Sequence, residues 1–189
     1  PVGAAGKLAF LLDQPPPPPP EAPSPPPLAP TLGASFQGLG DDDSSIPPDT
    51  HGAVGPSHVM TVLNTQVRVQ DRAGAVISTV SLDGFWASLG NPGAFDPKVV
   101  YDPSIGRFFF TACANAKSVA SALLVGMSQT SDPSGAWSLY QVDADPGNTV
   151  WLDFPSIGFN ATWGAVQVNA VSYTHLRAHE TKANLVCRL

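Results

Sequence analysis

The stretch KVVYDPSIGRFFFT, residues 98–111, decides how the rest of the chain reads. Its two ends, 98–101 (KVVY) and 107–111 (RFFFT), are runs of β-branched and aromatic residues, which suit a pleated, half-buried surface. Between them lies Asp102-Pro-Ser-Ile-Gly106. An aspartate there can bond its own backbone, the proline presets φ, and the glycine accepts a positive φ. Two strands joined by five residues of this kind predict an antiparallel hairpin.

The same pattern recurs to either side. Residues 58–63 (HVMTVL) and 66–70 (QVRVQ) alternate and are each followed by a polar break; Asp71-Arg-Ala-Gly74 then makes a turn before 75–81 (AVISTVS). Residues 122–127 (ALLVGM) and 137–142 (WSLYQV) flank a further hairpin loop at 130–135. No stretch of ten or more residues keeps a helical period without Gly or Pro intervening, and the nearest, 114–124, lacks a clear apolar stripe. The expected fold is all-β over residues 35–170.

A weak internal repeat refines this. Asp96-Pro97, a strand, Asp102, a turn and Arg107-Phe-Phe-Phe110 are echoed by Asp153-Phe-Pro155, a strand, Asn160, a turn and Gly164-Ala-Val-Gln-Val168. Repeats of about 40–50 residues, each of four antiparallel strands, mark propeller blades. The expectation is a partial β-propeller of about three four-stranded blades, with a β-sandwich as the alternative.

The flanks have a different character. Residues 1–14 carry only the apolar run LAFLL at 8–12 and read as the end of an upstream segment; a signal-peptide remnant is disfavoured by the absence of a basic n-region. Residues 15–34 are a Pro-rich linker: eleven of the 21 prolines fall within 15–30. That composition forms a stiff polyproline II spacer, and no flanking basic residue marks it as a ligand for an SH3-type groove. Residues 171–189 (VSYTHLRAHETKANLVCRL) depart from everything before them and resemble a translated transposase-type sequencing adapter, which reads as an artefact and not native sequence. On that reading the zinc-like spacing of His175, His179 and Glu180 is no metal site, and its glutamate also follows the second histidine instead of the first.

Charge excludes some classes. With 9 basic and 15 acidic residues the formal net charge is −6, which argues against nucleic acid, whose phosphates need clustered Lys and Arg. No apolar run approaches the roughly 20 residues of a membrane span. Outside the adapter-like tail the lone cysteine is Cys113, in an apolar run where a small buried hydrophobe is the ordinary role.

Pro47-Pro-Asp-Thr-His-Gly-Ala-Val-Gly-Pro56, His58-Val59, Asn64, Asp71-Arg-x-Gly74, Phe85-Trp86, Asp96-Pro97, Tyr101-Asp102, Arg107-Phe108, Ser128-x-Thr-x-Asp-Pro-x-Gly-x-Trp137 and Asp153-Phe-Pro155-x-x-Gly158 form a signature. It resembles a family of secreted or surface bacterial proteins with a PPDTxGAVGPxH-type opening and a sialidase-like propeller. The resemblance implies export, an extracellular or cell-surface location, and a modular parent with further blades and domains. The segment holding Asp132, Gly135 and Trp137 is similar to the Asp-box of sialidase blades, with one extra residue between Asp and Gly; the resemblance gives Asp and Gly a turn-shaping role and Trp a packing role.

Chemistry is harder to place. A glycosidase needs two carboxylates flanking the scissile bond. Asp49, Asp83, Asp96, Asp102, Asp143, Asp145 and Asp153 are available, with Asp49, Asp102 and Asp153 as the catalytic candidates, although most Asp residues beside Pro or Gly serve turns. Sialidase chemistry would also need several arginines on a substrate carboxylate, and outside the tail there are only Arg68, Arg72 and Arg107. Asp49, His51 and His58 form a dense polar group that reads either as a loop-bonding cluster or as a ligand-facing site, with Asp49 and His51 the pair for a Ca²⁺ or other divalent cation. Trp86, Trp151 and Trp163 are the aromatic candidates for stacking on sugar rings. The leading expectation is a non-catalytic propeller that binds a polysaccharide or a surface protein, with a sialidase-like glycoside hydrolase or a polysaccharide lyase as the alternative.

Overall fold

A computed structural model describes residues 33–172 and 181–185. The apolar run at 8–12, the proline run at 15–30 and the His175, His179, Glu180 triplet lie outside the described residues. The remainder is all-β: two four-stranded antiparallel sheets and a third in which β9 and β10 pair, none of them closed on itself.

Alternation sets the first sheet. β1 (His51–Val54), β2 (His58–Val62), β3 (Gln66–Asp71) and β4 (Val76–Ser81) run up and down in sequence order. Met60, Val62, Val67 and Val69 are buried while the intervening Thr61 and Arg68 are only partly so, because successive side chains leave a strand on opposite faces. The β3–β4 turn is made by Asp71, whose Oδ1 accepts from the N–H groups of Ala73 (2.8 Å) and Ala75 (2.9 Å). Gly74 completes it at φ 94°, and the Phe36 side chain fills the space a Cβ would take.

The deciding stretch forms the heart of the second sheet, β5 (Ala94–Asp102), β6 (Arg107–Ala114), β7 (Ala122–Ser128) and β8 (Trp137–Val142). Tyr101 pairs with Phe108 and Val99 with Phe110, so the expected hairpin is present, with strands four and three residues longer at the far ends. Residues 114–124, the nearest helix candidate, instead end β6, turn, and begin β7. β6 is buried almost throughout because both of its faces are covered. Phe108, Phe110, Ala112 and Ala114 join Met60, Val62, Val67 and Val69 in one core. Cys113, with Leu123 and Val125 of β7, packs in a second core with Leu152, Val166 and Val168.

A single helical turn, α1 (Leu82–Phe85), joins the first two sheets and escapes a search for helical periodicity because it is only four residues long. The Ser81 hydroxyl caps it by accepting from the Gly84 N–H at 3.0 Å. This turn delivers Phe85 and Trp86 into the core, where Trp86 is fully buried and its ring lies 5.0 Å from that of Phe110.

β9 (Val150–Phe159) and β10 (Gly164–Ser172) make the third sheet, with β11 (Thr181–Leu185), from the adapter-like tail, paired on the other side of β10. β1 lies against β5 and β5 against β9, so the first strands of the three sheets are neighbours. The repeat is visible in the backbone, but its register differs by one residue from the sequence reading. Asp96 and Phe154, 58 positions apart, hold positive φ of 53° and 49° beside a bulge in each strand. Pro97 therefore matches Pro155, and Asp153 matches Phe95. A third copy stands just before β1, where Asp49 has φ 47°. No helix among the described residues is long and apolar enough to cross a membrane.

Candidate functional site

The neighbouring first strands gather a group of aspartates that lie far apart in sequence. Asn64, in the β2–β3 turn, is its hub. Its Nδ2 donates to the Pro47 carbonyl at 2.9 Å and to Asp49 Oδ2 at 2.6 Å, while its Oδ1 accepts from the Asp96 N–H at 2.7 Å. Asp96 Oδ2 in turn accepts from the Phe154 N–H of β9 at 3.0 Å. Asp49 and Asp96 are thus brought together through Asn64. Burial above all, then the neighbouring Asp49 side chain, push Asp96 up to about 7; the Phe154 N–H pulls the other way, and the charges of Asp49 and Asp153 add smaller upward pushes. The buried Cys113 thiol is also pushed up, first by burial and then by Asp96 and Asp153, so it is not a thiolate nucleophile.

The histidines are held by different partners. His51 is half-buried and its Nδ1 accepts from the Val99 N–H at 3.3 Å; burial, then the charge of Lys98, lower its pKa against that bond. His58 Nε2 lies 3.7 Å from Asp132 of the β7–β8 hairpin, and its Nδ1 is buried without a hydrogen-bond partner. The sequence grouped Asp49, His51 and His58 as one cluster. The structure breaks that group up: His58 faces Asp132, His51 faces β5, and Asp49 faces Asn64 and Asp96. Among the described residues no set of three or more His, Cys, Asp or Glu side chains is placed to hold a metal ion.

Asp102 is engaged by its own loop. It is buried at the β5–β6 turn, where its Oδ1 accepts from both the N–H (2.7 Å) and the hydroxyl (2.6 Å) of Ser104. Asp132 makes the same arrangement with Ser134, whose hydroxyl and then N–H lower its pKa. There the Gly135 N–H donates to the Asp132 carbonyl at 3.3 Å, and Trp137 Nε1 donates to the Pro133 carbonyl at 2.9 Å while its ring meets Phe85 edge-on at 5.0 Å. Asp145 likewise sits low, bonded first by the Val150 N–H. Donors hold Asp132 and Asp145 low, whereas burial pushes Asp96 up.

The three tryptophans proposed as stacking surfaces separate in the same way. Trp86, fully buried against Phe85 and Phe110, cannot meet a ligand. Trp151 is half-buried, with its ring 6.3 Å from that of Phe95. Trp163 is 42% exposed at the tip of the β9–β10 hairpin. There Asn160 fixes the turn, its Oδ1 accepting from the N–H groups of Thr162 and Trp163, both at 2.9 Å. Beside Trp163 opens a crevice of about 200 Å³ between the second and third sheets, lined by Asp102, Ile105, Phe109, Met127, Phe159 and Trp163. No protein-family model, curated protein or solved structure matches the chain.

Two residues that organise the aspartate group, Asn64 and Asp96, were not among the sequence-derived site residues. Asp96 reads locally as a turn residue beside proline, and Asn64 as a polar break between strands. The available signal was the recurrence of an aspartate followed by Thr50 or Pro97 where a first strand begins.

Proposed function

We propose that the described sheets are successive blades of an open stretch of β-propeller. On this reading the parent is a secreted or cell-surface modular bacterial protein whose propeller holds a polysaccharide or a surface protein without turning it over. Three up-and-down sheets in sequence order with adjacent first strands support the propeller, as do the Asp132–Trp137 turn and the family resemblance. The observation that carries the binding reading is the half-exposed Trp163 beside the crevice. An aromatic face next to a narrow cleft suits a sugar ring, whose apolar face stacks while its rim stays wet.

The alternative, hydrolysis or elimination on a glycan, draws on the raised Asp96 carboxyl beside Asp49, a pairing that general acids use. Geometry weighs against it. Asp49 accepts from Asn64 Nδ2 and Asp96 from the Phe154 N–H, so both carboxyls are already engaged by the chain's own donors. The test is a panel of soluble polysaccharides followed by tryptophan fluorescence and by reducing-end release. Binding that drops at least about tenfold in Trp163→Ala, with no products released, supports the module. Product release abolished by Asp96→Asn would replace it with an enzyme.

A further inference from the structure

We infer that the crevice beside Trp163 takes a sugar residue with a free amino group, whose ring stacks on the indole while its ammonium pairs with the Asp102 carboxylate. The inference rests on the reading of that crevice as a glycan site and names the glycan class: a polysaccharide of amino sugars whose nitrogens are not acetylated. It is carried by a buried carboxylate that no cation of the chain balances. Asp102 is 2% exposed and lines the crevice together with Phe109, Met127, Phe159 and Trp163. Its Oδ1 takes both the N–H and the hydroxyl of Ser104, and Oδ2 receives neither. Among the described residues no cationic side chain forms an ion pair with it: Arg107, directly across the hairpin, turns Nη1 to the carbonyls of Ile105 (3.4 Å) and Gly106 (3.1 Å).

The turn itself does not need this charge. Asn160 is the counterpart of Asp102 in the repeat, and there an amide oxygen holds the turn by accepting from the N–H groups of Thr162 and Trp163. One acceptor oxygen therefore suffices, and the negative charge at position 102 is surplus to the hairpin. Asp132 makes the same bonds to Ser134, but its side chain is half exposed and His58 Nε2 stands 3.7 Å away. Water and a histidine meet that charge, whereas Asp102 has only the crevice. An isolated buried charge is costly, and a cation delivered by a ligand removes the cost.

The walls narrow the choice of cation. The rings of Phe109 and Phe159 stack at 6.2 Å with their planes 20° apart, Ile105 and Met127 extend the apolar lining, and Asn160 and Thr162 add neutral polar groups. Such a lining matches the apolar face of a pyranose ring whose hydroxyls meet the polar residues and water. A neutral sugar would leave Asp102 uncompensated, an N-acetylated one would bring it an uncharged amide, and an acidic one would be repelled. A lysine side chain would satisfy Asp102 but not the broad face of Trp163. The ammonium of a hexosamine does the first while its ring does the second.

The experiment is calorimetric titration of the 189-residue chain at about pH 6, where amines are protonated, with hexamers of glucosamine, N-acetylglucosamine and glucose, and with hexalysine as a cation of similar charge. The glucosamine hexamer should bind at least about tenfold tighter than either neutral hexamer. Asp102→Asn, which keeps the acceptor oxygen for Ser104 and removes only the charge, should abolish that preference. Equal affinity for the three hexamers, or a preference that survives in Asp102→Asn, overturns the amino-sugar assignment while leaving Trp163 as a contact for neutral glycans. Hexalysine binding more tightly than the glucosamine hexamer also overturns it and gives the crevice to a protein partner. Binding of no sugar hexamer, or sugar binding unchanged in Trp163→Ala, removes the glycan reading of the crevice itself. The wild-type affinities decide even if Asp102→Asn does not fold.

Discussion

β6 of the second sheet is buried at seven of its eight positions, whereas β9 of the third mixes buried, partly buried and exposed residues along its length. Both strands belong to antiparallel sheets and both follow the repeat, so the difference lies in what covers them. The second sheet has the core containing Met60 and Phe108 on one face and the core containing Leu152 and Val166 on the other. A strand covered on both sides reads as a continuous apolar run, RFFFTACA, while one covered on a single side keeps its polar half. Even within β6 the two faces divide by parity: Phe108, Phe110, Ala112 and Ala114 belong to one core and Cys113 to the other.

Mutations can break or sharpen that contrast. The largest effect is expected at Phe110, which is fully buried with rings of Phe85 (4.8 Å) and Trp86 (5.0 Å) against it. Phe110→Ala should cost about 3–5 kcal/mol in denaturant unfolding. Phe159→Ala, at a ring 38% exposed in the third sheet, should cost about 1 kcal/mol, and equal losses would show that the two sheets are equally covered. Next comes Ser128, whose buried hydroxyl accepts from the Phe108 N–H at 2.8 Å and donates to the Thr130 carbonyl at 2.7 Å. Ser128→Ala strands both groups and should lower stability by about 1–3 kcal/mol.

A pair of glycines tests the same difference by adding one carbon. A Cβ at Gly126 would stand 2.8 Å from Leu139 and 3.2 Å from Trp86, so Gly126→Ala should cost about 1–3 kcal/mol. Gly158 of β9 has nothing within 4 Å of that position, and Gly158→Ala should be neutral or slightly stabilising in the same assay. The smallest change is predicted for Ile77→Thr on the exposed outer strand β4, within about 0.5 kcal/mol of the parent. A larger loss there would mean that β4 has a covered face.

Local chemistry made much of this architecture readable in advance. The hairpin at 98–111 was legible because Asp102 bonds its own loop and period-2 alternation marks the strands on each side, and the same holds for Asp71 and Asp132. The candidate site was far less legible. Trp86 reads as a candidate stacking surface, and only the packing of α1 against Phe110 and the bare Gly126 shows that it is core. Asp102 and Asp96 are both aspartates beside a proline, yet one accepts two hydrogens from Ser104 in its own loop and the other accepts the Phe154 N–H from a strand 58 positions away.

By itself the sequence determined most of the strands from β2 onward, where they turn and in what order they pair with their immediate neighbours, because those choices depend on residues only a few positions apart; β1 (His51–Val54) was not read as a strand. Tertiary structure alone decided the rest: the register of the repeat, the covering of the second sheet on both faces, and the meeting of Asp49, Asp96 and the Phe154 N–H. These are contacts between residues tens of positions apart, and the side-chain pattern of one strand carries no record of which other strand will lie against it.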